Sequence, residues 1–193
     1  MLEGFYCPDG EKMDNHEVVY HTNEMSGEEL RGRMDNFPHF NWYREDGTCK
    51  FLAVEMFEHW YDLVKQYPNA AHVIDYVDPG EVAYSIGTII DKIRQNLDKG
   101  IALISIQKKQ SSFTKRDGTI GRNYIDYGVG GQYSEHRARV VIHLQNNNEL
   151  YVKSCKAWEV KNPTGRIYKF NITNHGSRFA NIREIVKDED LPF

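Results

Sequence analysis

Apolar residues in this chain fall in short runs cut by turn residues, and in two places they repeat at helical spacing. The run Ala71-His72-Val73-Ile74-Asp75-Tyr76-Val77-Asp78 is stopped by Pro79-Gly80. A short β-branched run bounded by turn residues predicts a buried strand, central in a parallel sheet. Ile86, Ile89, Ile90, Ile93 and Leu97 recur at three- and four-residue steps, which predicts a helix over 81–97, closed by Lys99-Gly100. The run 101–106 then predicts a second buried strand. Strand, helix and strand at this length make a βαβ unit with parallel strands.

Upstream, residues 17–22 form a β-rich run, and Ser26 with Glu29 fits a capping box that starts a helix ended by Phe37-Pro38. Residues 40–43 and 50–54 read as strands joined through Glu45-Asp46-Gly47. Met56, Phe57, Trp60, Tyr61 and Val64 have the spacing of a core-facing helix stripe within 54–67. Residues 110–134 are glycine-rich, with interleaved cations and aromatic residues, and read as a long loop. Three β-like runs follow at 138–144, 149–156 and 166–172, separated by Asn- and Pro/Gly-type turns that imply antiparallel hairpins. Residues 179–186 read as a last short helix. The expected fold is α/β: a mainly parallel sheet with helices on both faces and antiparallel C-terminal hairpins. Residues 1–16 read as an irregular lead-in, 17–187 as the core and 188–193 as a tail, with no internal repeat.

Composition narrows the class. The chain has 193 residues, 40% hydrophobic and 27% charged, the size and balance of an ordinary globular domain. A formal net charge of -4 argues against a protein that coats nucleic acid wholesale, and leaves room for a local basic patch. No apolar run reaches the roughly 20 residues that span a bilayer. The first ten residues lack the basic and apolar regions of a signal peptide, so a cytoplasmic location is expected. The 3 cysteines are widely spaced and form no Cys-x-x-Cys pair, which points to neither a disulfide framework nor a zinc site.

Three polar residues sit at the carboxyl ends of predicted parallel strands: Glu24, Asp75 and Gln107. An aspartate at a strand end often only caps a turn or bonds to a neighbouring loop. At the carboxyl edge of a parallel sheet, where open α/β folds bind ligands, it can instead organise a metal. One carboxylate for a metal, one for a water and an amide near a phosphate suit nucleotide hydrolysis, which depends on positioning and electrostatics.

The segment from Val18 to Met34, with Thr22-Asn23-Glu24-Met25-Ser26 at its centre, resembles the strand, Glu-Met, helix, Arg segment of RecA-like ATPases, especially the DnaB-like replicative helicases and the phage DNA-repair ATPases. Val73-Ile74-Asp75-Tyr76 resembles their Walker B strand, and Ile104-Ser105-Ile106-Gln107-Lys108 their next strand, which ends in glutamine. The stretch from Arg137 through Lys156 to Phe170 resembles their closing hairpins. The resemblance covers roughly residues 17–182.

It implies ATP and Mg2+ as cofactors of a complete domain. Glu24 would polarise water, Asp75 would be the magnesium-linked acid and Gln107 the sensor. Lys156, Lys161, Arg137 and Arg139, with Arg166 as a further candidate, would be cations that reach a neighbouring subunit's nucleotide in a ring or filament of identical chains. Lys108, Lys109, Lys115, Arg116 and Arg122, with Tyr124 and Tyr127, would contact single-stranded DNA or a DNA fork. The chain departs from the family in one respect. No Gly-x-x-x-x-Gly-Lys-Ser/Thr occurs in it, and only residues 1–16 precede the Glu24 strand. The expected function is therefore a DNA-helicase or DNA-repair ATPase core lacking its first strand, phosphate loop and first helix, and inactive alone. The alternative is a non-catalytic DNA-binding or assembly module derived from that fold. A metal hydrolase using Glu24 and Asp75 directly is a third class, disfavoured because no histidine clusters with them in sequence.

Overall fold

The computed structural model describes residues 18–176 and 178–185, apart from the side chains of 109–111, 122–126 and 175. The lead-in and tail lie outside the described residues. The chain divides into two compact units, one holding the described residues up to Met34 and Pro38–Arg137, the other Asp35–Phe37 and residues from Ala138 onward.

The first unit is built on four parallel strands: β1 (Val18–Thr22), β2 (Phe51–Glu55), β3 (Ala71–Asp75) and β4 (Ile101–Ile104), in the order β2-β1-β3-β4. Three helices connect them: α1 (Gly27–Asp35), α2 (Trp60–Gln66) and α3 (Ser85–Asn96). The pleat alternates side chains between faces, and paired residues in a parallel ladder share a face. Val19 pairs with His72 and His21 with Ile74, so these four lie together on one face, and all four are fully buried. That face carries the core, in which Ile74 and Val77 pack with Trp60 and Val64 of α2 and Ile86, Ile90 and Ile93 of α3. The isoleucine stripe predicted for α3 is the one that is buried.

The capping box at α1 forms as predicted. Glu29 N–H donates to Ser26 Oγ at 3.3 Å, and Ser26 N–H donates to the Glu29 carboxylate at 2.9 Å. These bonds hold the Glu29 carboxyl below its ordinary range.

Several sequence expectations need correction, among them the helix expected over 81–97, which starts only at Ser85. The hairpin turn expected through Glu45-Asp46-Gly47 forms, with Arg44 N–H on the Thr48 carbonyl at 2.8 Å and Lys50 N–H on the Trp42 carbonyl at 2.9 Å, but residues 51–54 do not extend it. They enter the parallel sheet beside β1, and an isolated Tyr43–Cys49 bridge is the described antiparallel pairing in that region. The helix expected over 54–67 starts only at Trp60, because Val54 and Glu55 belong to β2. The long loop expected over 110–134 is mostly a hairpin of β5 (Lys108–Thr114) and β6 (Ile120–Gly128). Its signal was present as Asp117-Gly118. Gly118 has φ 81°, and Asp117 Oδ1 accepts the N–H and hydroxyl of Thr119 at 3.0 and 2.6 Å. The same turn recurs at Asp46-Gly47-Thr48.

After β6 the chain docks back on α3. Gly130 has φ 88°, and a Cβ there would lie 2.2 Å from Ile86 Cγ2 and 2.7 Å from the Ala83 carbonyl. Gly130→Ala therefore meets both an unfavourable backbone conformation and a steric clash. It should destabilise the protein by more than about 1 kcal/mol. Urea unfolding is the check, and an unchanged midpoint would show that the segment is not held against α3 as described.

The second unit is an antiparallel sheet in the order β10-β9-β8-β7: β7 (Val140–Gln145), β8 (Glu149–Cys155), β9 (Ile167–Thr173) and β10 (Arg178–Ile185). The hairpins expected from the turn residues are present. Residues 179–186 were expected to be helical and instead form β10 through Ile185, paired along β9, with Phe179 and Phe170 in edge-to-face contact at 5.0 Å. Pairing with the preceding strand overrides the segment's own helical pattern there. Among the described residues, no helix is long and apolar enough to cross a membrane.

Candidate functional site

All four strands of the parallel sheet run the same way, so their carboxyl ends share one edge. Thr22 pairs with Glu55 on one side and Asp75 on the other. The chain then turns from β1 into α1 through Asn23, Glu24 and Met25. Thr22 Oγ1 accepts the N–H groups of Glu24 and Met25 at 3.2 and 3.3 Å, which fixes this turn. Met25 is buried and Glu24 is exposed, so the turn is anchored by one side chain and presents the other to solvent.

Asp75 is held from two sides. The Tyr20 hydroxyl, on the same sheet face, donates to Asp75 Oδ2 at 3.0 Å. Burial, then the Asp75 charge and this hydrogen bond, push the Tyr20 phenol up to about 12, so it stays a donor at neutral pH. Asn23 bridges the two strand ends. Its N–H donates to the Asp75 carbonyl at 3.4 Å, and its Oδ1 accepts Tyr76 N–H at 3.1 Å. The Asp75–Tyr76 peptide is cis.

The β3–β4 pairing continues past the strands, with Ser105 N–H on the Ile74 carbonyl and Val77 N–H on the Ser105 carbonyl at 2.9 and 3.1 Å. Gln107 follows at the same edge. Its side chain is exposed, and its carbonyl accepts Val129 N–H at 2.8 Å, tying the base of the β5–β6 hairpin to the sheet. The structure thus gathers Glu24, Asp75 and Gln107 along one edge, on or just beyond three adjacent strands, and adds Tyr20, Asn23 and Glu55 beside them.

On the opposite, buried face lies a histidine pair that sequence reading did not single out. His21 Nε2 and His72 Nδ1 are 2.9 Å apart, His72 Nε2 faces the Tyr67 carbonyl at 2.9 Å, and His21 Nδ1 faces Met56 Sδ at 3.2 Å. A carbonyl only accepts, so His72 carries its proton on Nε2 and His21 donates from Nε2 to His72 Nδ1. Burial, then its neighbour His72, lowers His21 to about 4, and burial lowers His72.

The remaining candidates are spread more widely. Arg137 Nε pairs with Asp91 Oδ1 of α3 at 2.8 Å, within the first unit. Arg139, Lys156 and Lys161 are exposed in the second unit, where Lys156 N–H donates to the Arg139 carbonyl at 2.8 Å. Arg166 there approaches Glu184 at 3.5 Å. In the hairpin, Lys115 and Arg116 are exposed at the turn, Lys108 is half-buried and Tyr127 lies exposed on β6. The side chains of Lys109, Arg122 and Tyr124 lie outside the described residues.

No cluster of three or more His, Cys, Asp or Glu side chains suited to a metal occurs among the described residues. A magnesium ion commonly takes only one or two carboxylates, with water and phosphate oxygens completing its shell. Asp75, with one oxygen held by Tyr20, fits that role. A nucleotide's phosphates do not have the same fit, because the sequence holds no glycine-rich lysine loop to receive them. Comparison with protein families gave no match to the chain, and comparison with curated proteins gave none either.

Proposed function

We propose that this chain is the carboxylate-bearing part of a RecA-like ATPase of the DNA-helicase or DNA-repair type, completed by a phosphate loop that the 193 residues do not contain. The observation that carries this reading is the shared edge: Asp75 pairs in register with Thr22, Glu24 follows Thr22 by two residues, and Gln107 follows the end of the next strand, β4, by three residues. In this reading Glu24, exposed on a turn fixed by Thr22, takes a proton from the attacking water. Asp75 would hold magnesium when it is bound. Gln107 couples the edge to the β5–β6 hairpin through its backbone bond to Val129. ATP and Mg2+ are the cofactors of the completed domain, and Lys156, Lys161 and Arg139 are the cations offered to a neighbouring subunit in a ring or filament. A cytoplasmic location goes with this reading.

The second reading, a DNA-binding or assembly module without catalysis, is favoured by the missing phosphate loop and by the exposed Lys115 and Arg116 at the hairpin turn. The test is ATP hydrolysis by the chain alone and by the chain joined to the amino-terminal strand, phosphate loop and helix of a RecA-like ATPase. The chain alone should stay at background, because its sequence has no Gly-x-x-x-x-Gly-Lys-Ser/Thr loop to hold the phosphates. The completed protein should bind and hydrolyse ATP. Robust hydrolysis by the isolated chain would mean that the phosphate site lies elsewhere. Nucleotide binding without turnover in the completed protein would favour the non-catalytic module.

A further inference from the structure

The outward face of α3 forms one wall of a groove that the carboxyl-edge site does not use. Tyr84, just before the helix, and Thr88, Asp91 and Gln95 on it recur at i, i+4, i+7 and i+11, opposite the buried Ile86, Ile90 and Ile93. The facing wall is the 3-10 turn Gly131–Ser134 with His136 and Arg137. Two adjoining depressions of about 440 and 400 Å³ share Asp91 and Arg137, so the groove runs along the helix.

The wall is fixed. A Cβ on Gly87 would lie 3.3 Å from Tyr133 Cβ, so the turn sits directly against α3, and Ser134 Oγ, on a buried residue, donates to the Gly131 carbonyl at 2.7 Å.

Its chemistry is graded along its length. One end presents Tyr84 and Tyr133, 73% and 54% exposed, large aromatic faces left in water. The other end presents Arg94 and Arg137. Asp91 engages Arg137 at Nε, which leaves the terminal guanidinium nitrogens to a further acceptor. An open groove with stacking surfaces at one end and guanidiniums at the other suits a polymer of alternating planar and anionic groups.

We propose that this groove takes a single-stranded nucleic acid, with bases stacked on Tyr84 and Tyr133 and phosphates on Arg94 and Arg137. Its lining includes none of Glu24, Asp75 and Gln107. Binding is therefore independent of nucleotide hydrolysis, and either reading can fail without the other. The contact lies on α3 and the turn after β6; sequence reading placed it on the loop 108–134, of which the groove takes only the end that carries Tyr133.

The test is fluorescence anisotropy of labelled oligo-dT, oligo-rU and a duplex across a salt series, without nucleotide. Tyr84→Ala and Tyr133→Ala should each weaken single-strand binding roughly 5- to 150-fold, the loss of one stacked base, and phenylalanine at either position should restore it. Arg94→Gln should weaken binding and reduce the salt slope by about 0.7, the loss of one phosphate contact. The relative affinity for oligo-dT and oligo-rU identifies the strand. The proposal is overturned if wild type binds neither single strand. It is equally overturned if wild type binds duplex as well as single strand, or if only a Lys115→Ala, Arg116→Ala variant loses affinity. Competition by an acidic peptide at equal charge, with the tyrosine variants unaffected, would show a general anion surface instead.

Discussion

On the proposed ATPase reading, replacing Glu24 by glutamine in the completed protein should lower ATP turnover by roughly 10²–10⁴-fold while nucleotide affinity is retained, the range expected for loss of a positioned general base. The physical ground is placement. Thr22 Oγ1 fixes the Glu24 turn, buried Met25 anchors it, and the carboxylate stands exposed at the strand edge. Glutamine keeps the shape and removes the base. Asp75→Asn should behave differently, since on the same reading it removes the charge that would hold magnesium, so the magnesium-dependent part of nucleotide binding should fall together with turnover. Tyr20→Phe separates the two effects further, because it removes the donor to Asp75 Oδ2 and leaves Asp75 charged. Nucleotide affinity with and without magnesium, measured beside turnover for each variant, checks the assignment. Full activity in the Glu24→Gln protein would remove Glu24 from the mechanism.

Acid should destabilise the first unit through its buried histidines. Unfolded His21 takes up its proton near the ordinary value of 6.5, whereas in the fold burial and His72 delay this to about 4. Between those values the unfolded chain binds more protons than the native one. Stability is therefore complete above about pH 6.5, falls as pH drops towards 4, and is lost no further through this group below that. A gap of this size corresponds to about 3 kcal/mol. His72, also lowered, acts in the same direction. Beside the pair stand the Met56 sulfur and the Tyr67 carbonyl, and neither compensates a second positive charge. Urea unfolding from pH 7 to 4 should show the loss. A His21→Leu, His72→Leu protein should show a shallower dependence, since the two buried histidines no longer titrate. NMR titration of the native protein should find His21 neutral at pH 5. Protonation of His21 near 6.5 in the native state would refute the account.

Much of the first unit was legible because its signals are local. The capping box at Ser26 and Glu29, the isoleucine stripe of α3 and the β-branched runs of β3 and β4 each declare themselves within a dozen residues. The carboxyl-edge positions of Glu24, Asp75 and Gln107 followed from those elements and from the rule that a βαβ crossover makes its strands parallel.

Other features depend on partners distant in sequence. Residues 51–55 join the parallel sheet because β1 offers an edge, and nothing in their own pattern distinguishes that from a local hairpin. The segment 178–185, by contrast, pairs with its near neighbour β9, and its own pattern alone does not declare a strand. The Asp117-Gly118 signal was readable, and the weight given to glycine content obscured it. The Tyr20–Asp75 and His21–His72 contacts join residues 55 and 51 positions apart.

The sequence by itself determined the α/β class, the parallel βαβ core and the edge on which three polar residues meet, since period, caps and turn residues act over short range. Only the tertiary structure decided which strands neighbour one another, that Tyr20 holds Asp75, that two histidines share one buried hydrogen bond, and that α3 faces a groove. Those outcomes depend on strand register and packing. A shift of one residue would move every side chain of a strand to the opposite face, and composition carries no record of that choice.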